Sequence, residues 1–145
     1  MSVLESRETL EVQIIMTKAP TTADPDQVAI EIYHLFKEVG YHHIPVVGGD
    51  SGGELVGILS DRDIAKYLTP DLDDEALALS LPLQKTVSEI MSTQLVTVAA
   101  TTSIDCASIL LLENNISCLP VVDDENQLEG ILTWKDILQF FVYHE

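Results

Sequence analysis

A chain that carries the same three motifs twice, in the same order, is built to fold as two copies of one unit. VQIIMT (Val12 to Thr17) recurs as VSEIMS (Val87 to Ser92), HIPVV (His43 to Val47) as CLPVV (Cys118 to Val122), and LVGILSDRDI (Leu55 to Ile64) as LEGILTWKDI (Leu128 to Ile137). Met16 to Met91 and Pro45 to Pro120 are both 75 positions apart, and Gly57 to Gly130 is 73, so two extra residues lie in the first copy's GGDSGGE turn. Insertion there is cheap, because a surface loop closes at little extra entropy. With 145 residues to divide, neither copy buries enough surface alone and the two are expected to pair.

Each copy reads as strand, helix, hairpin, helix. In the first, Lys18 to Ala23 can extend, and Asp24-Pro25-Asp26-Gln27 then offers an N-cap, a proline at the first helical position and a capping-box residue. A helix is predicted from there, with Val28, Ile32, Leu35, Phe36 and Val39 on one face. Gly40 and its counterpart Asn115 suit the left-handed residue that closes such a helix. Ile44 to Val47 and Leu55 to Leu59 form one hairpin, and Leu119 to Val122 with Leu128 to Leu132 form the other. Pro45 and Pro120 lack an amide donor, which predicts a strand start or an edge. The boundaries that follow are a 1–9 extension, a first repeat at 10–69, a linker at 70–86 with a short helix through Asp73 to Leu79, and a second repeat at 87–145.

Hydrophobic residues make up 46% of the chain and charged ones 21%, with a mean hydropathy of +0.20, so there is apolar surface enough to fold. Seven basic against 24 acidic side chains give a net charge of -17, which repels polyanions and excludes nucleic acid and anionic membranes as partners. No apolar run approaches the roughly 18 residues that span a bilayer, and the acidic start MSVLESRETLE lacks a secretion pattern, so a cytoplasmic protein is expected. Cys106 and Cys118 form no CxxC and read as reduced, semi-buried thiols. GxSxG, P-loop and HExxH motifs are all missing, so no catalysis is expected. His34, His42, His43 and His144 are too scattered for a metal site, since adjacent residues on a strand face opposite ways.

The ordered set IM[ST], h-P-V-V, G-I-L-[ST]-x-x-D-I and its duplication resembles the CBS domain, named after cystathionine β-synthase, in the two-CBS tandem called a Bateman module. The resemblance covers residues 10 to 145. It implies an α/β (α+β) fold in which each repeat is a βαββα unit with a small three-stranded sheet. The repeats would pack about a pseudo-two-fold axis, leaving two clefts for adenosine nucleotides. A stand-alone regulatory module of this kind would require no cofactor, bind AMP or ADP more readily than ATP, pair into a homodimer through its helices, and signal to an unknown effector protein. The alternative is a ligand-free CBS scaffold that serves only dimerisation or protein contacts, suggested by the apolar tail Ile137 to Tyr143.

Carried over residue by residue, the family's ribose-holding carboxylate falls on Asp63 and Asp136 and the hydroxyl of the same motif on Ser60 and Thr133. An ionised carboxylate only accepts hydrogen bonds and suits a ribose diol, and the helix that starts there turns free amides toward a phosphate. The same residues also spell a capping box, and both readings stand. The adenine-gripping positions would be Thr21, Thr22, Ile44 and Pro45 in the first copy, and Val96, Thr97, Leu119 and Pro120 in the second. They read equally well as core strands. The two positions ahead of the h-P pair, basic in many nucleotide-binding relatives, are His42 and His43 in the first copy but Ser117 and Cys118 in the second.

Arg62, Lys66 and Lys18 add charge to the first set, whereas the second has Lys135, with Trp134 in place of Asp61. The first site is therefore expected to prefer phosphorylated ligands. Since free imidazole titrates near pH 6.5, affinity is expected to strengthen as pH falls from about 8 to about 6.

Overall fold

A computed structural model describes residues 10–39, 42–66 and 84–143. The elements are a one-turn 3-10 helix at Val12–Ile14, β1 (Thr17–Lys18), α1 (Ala29–Val39), β2 (His43–Gly48), β3 (Glu54–Ser60), α2 (Asp61–Ala65), α3 (Val87–Ile90), α4 (Ile104–Asn114), β4 (Cys118–Val122), β5 (Leu128–Thr133) and α5 (Trp134–Tyr143). Two compact units emerge, one made of Thr21–Leu95 and the other of Met1–Pro20 together with Val96–Glu145. We call them the central and the terminal unit. The proposed linker helix at 73–79, Gly40 and His144 lie outside the described residues.

The central unit is built on the hairpin β2–β3, with His43 opposite Ser60, Ile44 opposite Leu59 and Pro45 opposite Ile58. Ile44, Val46 and Leu59 turn to one side, where they meet Ala29, Ile32 and Phe36 of α1 together with Ile64 and Val87. In the terminal unit, β5 lies between β1 and β4, and Cys118 faces Thr133, Leu119 faces Leu132 and Pro120 faces Ile131. Its core collects Leu119, Val121 and Leu132 with Ile104, Ala107 and Leu111 of α4, Ile137 and Phe140 of α5, and Val12. Both hairpins shift register at the same place, Val46/Val47 and Val121/Val122. The duplication therefore extends to a shared irregularity.

Sequence repeats and structural units are cut differently. Thr17 and Lys18 of the first repeat pair with Ile131 and Gly130 of the second hairpin. Conversely, Ser92 of the second repeat bridges Ile58 of the first hairpin. The IM[ST] motif of each copy thus completes the sheet of the other copy's hairpin, as a short strand in one case and a single bridge in the other. The continuous extension expected over Lys18 to Ala23 is interrupted because Ala19 is left-handed (φ 49), which ends β1 before Ala23 bridges Val46.

Both prolines lie on edge strands, the second of the two expected placements, third in β2 and in β4, and their missing donor has an evident consequence. Ala23 N–H donates to the Pro45 carbonyl and Val47 N–H to the Ala23 carbonyl, so Pro45 turns its nitrogen toward the 21–23 segment. Pairing with that segment is confined to one bridge, since continuing it needs the amide that proline lacks. Val98 repeats the arrangement with Pro120 and Val122.

The Asp24–Gln27 caps also do something other than expected. Asp24 N–H donates to Gln27 Oε1 at 2.8 Å and Asp26 N–H to Asp24 Oδ1 at 2.8 Å, but they close a turn, and α1 begins only at Ala29. The helix is delayed because the chain is first tied to the 85–87 segment, through Ala29 N–H to the Lys85 carbonyl and Val87 N–H to the Gln27 carbonyl. Asn115 does close α4 in the left-handed conformation (φ 54, ψ 44), as its position predicts. Among the described residues no helix is long and apolar enough to cross a membrane.

Candidate functional site

Apart from Lys18, the residues expected at the first site lie in the central unit, and those expected at the second lie in the terminal unit. In the central unit, strand register sets His43 against Ser60, and the Ala23 bridge brings the exposed Thr21 and Thr22 alongside β2. Ile44 points into the hydrophobic core, so only its backbone is left to face a ligand. Asp61 N–H donates to the His42 carbonyl at 3.0 Å, joining the end of β3 to the start of β2.

Ser60 caps α2 in a full capping box. Its Oγ accepts from Asp63 N–H at 3.1 Å, while Asp63 Oδ2 accepts from Ser60 N–H at 2.9 Å. The terminal unit repeats this: Asp136 Oδ2 accepts from Thr133 N–H at 2.9 Å and from Thr133 Oγ1 at 3.0 Å. Capping is thus realised at both positions, through one carboxylate oxygen only. Asp63 Oδ1 keeps a long contact of 3.9 Å to the exposed Lys66 Nζ, and Asp136 Oδ1 meets no protein donor among the described residues. Both carboxylates are half-buried, which orients them while leaving that oxygen within reach of solvent.

The two sets differ beside the cap. In the central unit His42 Nδ1 lies 2.9 Å from Asp61 Oδ2, both side chains being well exposed. In the terminal unit Trp134 N–H donates to the Ser117 carbonyl, as Asp61 does to His42, but its indole Nε1–H reaches back to the Ile116 carbonyl at 3.1 Å. Trp134 remains 41% exposed, so it is anchored at its edge with much of the ring uncovered. Lys18, grouped by sequence with the first site's cations, belongs to the terminal unit's sheet, paired with Gly130. The exchange of IM[ST] segments moved it. The His42–Asp61 pair was missed, although the signal was present in the contrast of Asp61 with Trp134 at matching positions.

Burial pushes His43 below 6.5; Asp61 and Asp63 pull it partly back, and His42 and Arg62 push it further down. Cys118, in the corresponding position, is pushed up to about 12 by burial alone and stays a neutral thiol. The expected affinity gain from about pH 8 to about 6 assumed an unperturbed imidazole; with His43 lowered, its share of that gain moves to the acid side of 6.5. The sign for stability is opposite. Below 6.5 the unfolded chain binds a proton that the folded chain refuses, so stability rises with pH through this window and falls on acidification. His43→Gln should flatten the fall in melting temperature between about pH 7 and about pH 5.5. Parallel melting curves for variant and parent would show that His43 is not the group involved.

A shallow, open depression of about 660 Å³ in the central unit shares Thr22 with the expected site and is otherwise lined by Asp24, Asp26, Gln27 and Glu31 among others. Its carboxylates would repel a phosphate. The capped carboxylates, with hydroxyls and strand-edge backbone beside them, are therefore the better candidate for a nucleoside. Among the described residues no group of His, Cys, Asp and Glu is placed to hold a metal ion.

Two hairpin-and-helix units, each ending its hairpin in a capped [ST]-x-x-D turn, define a tandem of small α/β modules. The CBS domain family model matches residues 11–70 and 87–143, and the chain belongs to that family. It is 33% identical over 130 residues to L-aspartate semialdehyde sulfurtransferase of Methanocaldococcus jannaschii, a match covering 90% of this chain but only 23% of that protein.

Among solved structures it is similar to the CBS domain pair of protein MJ0100 in complex with 5′-methylthioadenosine and S-adenosyl-L-methionine. The TM-score there is 0.75 at 32% identity, covering 94% of this chain and 99% of that one. It is also similar to CBSX2 in complex with AMP, with a TM-score of 0.77 at 29% identity, covering 92% and 96%.

Proposed function

We propose that the chain is a non-catalytic regulatory module that binds an adenosine nucleotide or related adenosyl compound and signals its occupancy to a partner protein. The observation that carries this reading is the second oxygen of each capping carboxylate, which the capping bonds do not use. Asp63 and Asp136 are each fixed through Oδ2, and Oδ1 is left as an oriented acceptor for a ribose hydroxyl. Two similar CBS pairs hold adenosyl ligands, which supports the same ligand class here. With a net charge of -17, AMP or ADP is easier to accommodate than ATP without bound magnesium.

The test is a thermal-shift panel of adenosine, AMP, ADP, ATP, 5′-methylthioadenosine and S-adenosylmethionine. At a ligand concentration 100 times Kd, stabilisation of about 2.7 kcal/mol is expected, a shift of several degrees. No shift with any of them would remove the nucleotide reading.

A second reading, a ligand-free scaffold that only dimerises, is favoured by one observation. Ile137 and Phe140 of α5 pack into the terminal core, but Leu138, Val142 and Tyr143 on the same helix, and Ile109 and Leu112 on α4, are exposed. Under that reading light scattering would show a dimer while the panel stays silent.

A further inference from the structure

We propose that Asp61 selects the 5′ end of the ligand at the central unit's site, by holding His42 in the place a phosphate would take and so favouring few or no phosphates. This rests on the adenosyl reading above. Asp61 Oδ2 lies 2.9 Å from His42 Nδ1, and no other hydrogen bond or ion pair of the His42 side chain occurs among the described residues.

The same residue donates its backbone N–H to the His42 carbonyl at 3.0 Å. That bond fixes Asp61 beside His42 whatever the side chains do. Its place in the fold, immediately after the capping Ser60 and two residues before Asp63, puts a negative charge beside the carboxylate assigned to the ribose. A ligand anchored there through its ribose carries its 5′ group near that charge.

The chemistry then follows from charge counting. Arg62 is exposed and makes no hydrogen bond or ion pair among the described residues, so it remains available to one phosphate. His42 is not, because a carboxylate already faces it. Each phosphate must compete with Asp61 for His42, whereas a neutral thioether or a cationic sulfonium at the 5′ carbon needs no cation from the protein. The terminal unit offers the internal contrast. Trp134 stands at the matching position, with its indole N–H on the Ile116 carbonyl, and brings no charge at all. The two sites would thus be tuned for different 5′ groups by one position of the same motif.

The experiment is calorimetry at fixed pH and ionic strength on the full chain, comparing wild type, Asp61→Asn, His42→Ala and the double variant, with adenosine, AMP and ADP. Exposed charges about 4 Å apart in water interact by roughly 1 kcal/mol, so Asp61→Asn should strengthen AMP binding by about fivefold and ADP binding by more, with adenosine within about twofold. In the His42→Ala background the gain from Asp61→Asn should shrink for both nucleotides, since nothing is left to release.

Asp50→Asn, an equal change of charge in the hairpin turn at 49–53, controls for net charge and should leave AMP binding unchanged. Equal strengthening of adenosine and AMP by Asp61→Asn, or a full gain that persists without His42, would overturn the assignment while leaving the adenosyl reading intact. A wild-type chain that binds none of the three would overturn both.

Discussion

Gly130→Ala is expected to lower the stability of the terminal unit by about 1–3 kcal/mol, the range for forcing a methyl group into a packed site. A Cβ built on Gly130 would stand 2.8 Å from Met16 Sδ and 2.8 Å from the Thr17 carbonyl oxygen. A thioether can swing aside, but the carbonyl belongs to β1, whose Thr17 and Lys18 pair with Ile131 and Gly130. Relief therefore requires β1 to lift from the sheet.

Gly57 is the corresponding glycine of the central unit, and the contrast sharpens the prediction. There a Cβ would collide mainly with the Met91 side chain and reach 3.1 Å from the Ser92 carbonyl, a contact that yields with a small shift. Gly57→Ala should thus cost less, and its cost should be largely recovered in a double-mutant cycle with Met91→Ala. Met16→Ala should recover little of the Gly130→Ala loss. Denaturant midpoints of the four single and two double variants decide the matter, and equal, fully rescued losses at both glycines would show that the backbone contact at Gly130 does not limit β1.

These glycines also explain why two of the repeated motifs exist. IM[ST] and G-I-L read in the sequence as separate pieces of one copy. In the fold they are partners across copies, Met16 against Gly130 and Met91 against Gly57. A linear reading finds the repeat but not the exchange, because strand order is a property of pairing and pairing partners here are more than a hundred residues apart for β1 and β5. Lys18 was misplaced for the same reason. Local hydrogen bonding, by contrast, was legible. Asn115 at a helix end, the hairpins, and the Ser60–Asp63 and Thr133–Asp136 boxes follow from side-chain chemistry within a few residues.

Where local signals failed, a tertiary bond overruled them. The Asp24–Gln27 turn has the hydrogen bonds of a helix start, yet the 85–87 segment claims the neighbouring amides and carbonyls and delays α1 to Ala29. The protonation of His43 was likewise beyond a sequence reading, since burial by strand packing sets it. Its neighbour's pairing with Asp61 depends on the register His43 to Ser60, which brings positions 42 and 61 together.

Asp136→Ala and Asp63→Ala should each cost adenosyl affinity about tenfold to hundredfold at their own site, as a hydrogen bond to a charged group contributes about 1.5–3 kcal/mol. Alanine alone cannot separate recognition from folding, because each carboxylate also closes a capping box worth about 1 kcal/mol. Asparagine can. At position 136 its amide oxygen still accepts from Thr133 N–H, so most of the cap survives, while the charge that strengthens a bond to a ribose hydroxyl is gone.

The expected pattern is therefore a melting temperature near wild type for Asp136→Asn with ligand binding weakened almost as far as in Asp136→Ala. Deoxyadenosine compounds lacking one hydroxyl should bind wild type weakly and lose little further in the asparagine variant, since the partner of the missing charge is already absent. If Asp136→Asn and Asp63→Asn bind adenosine and AMP as wild type does, both carboxylates serve the helix alone. The ligand would then have to be held by groups other than the [ST]-x-x-D turn.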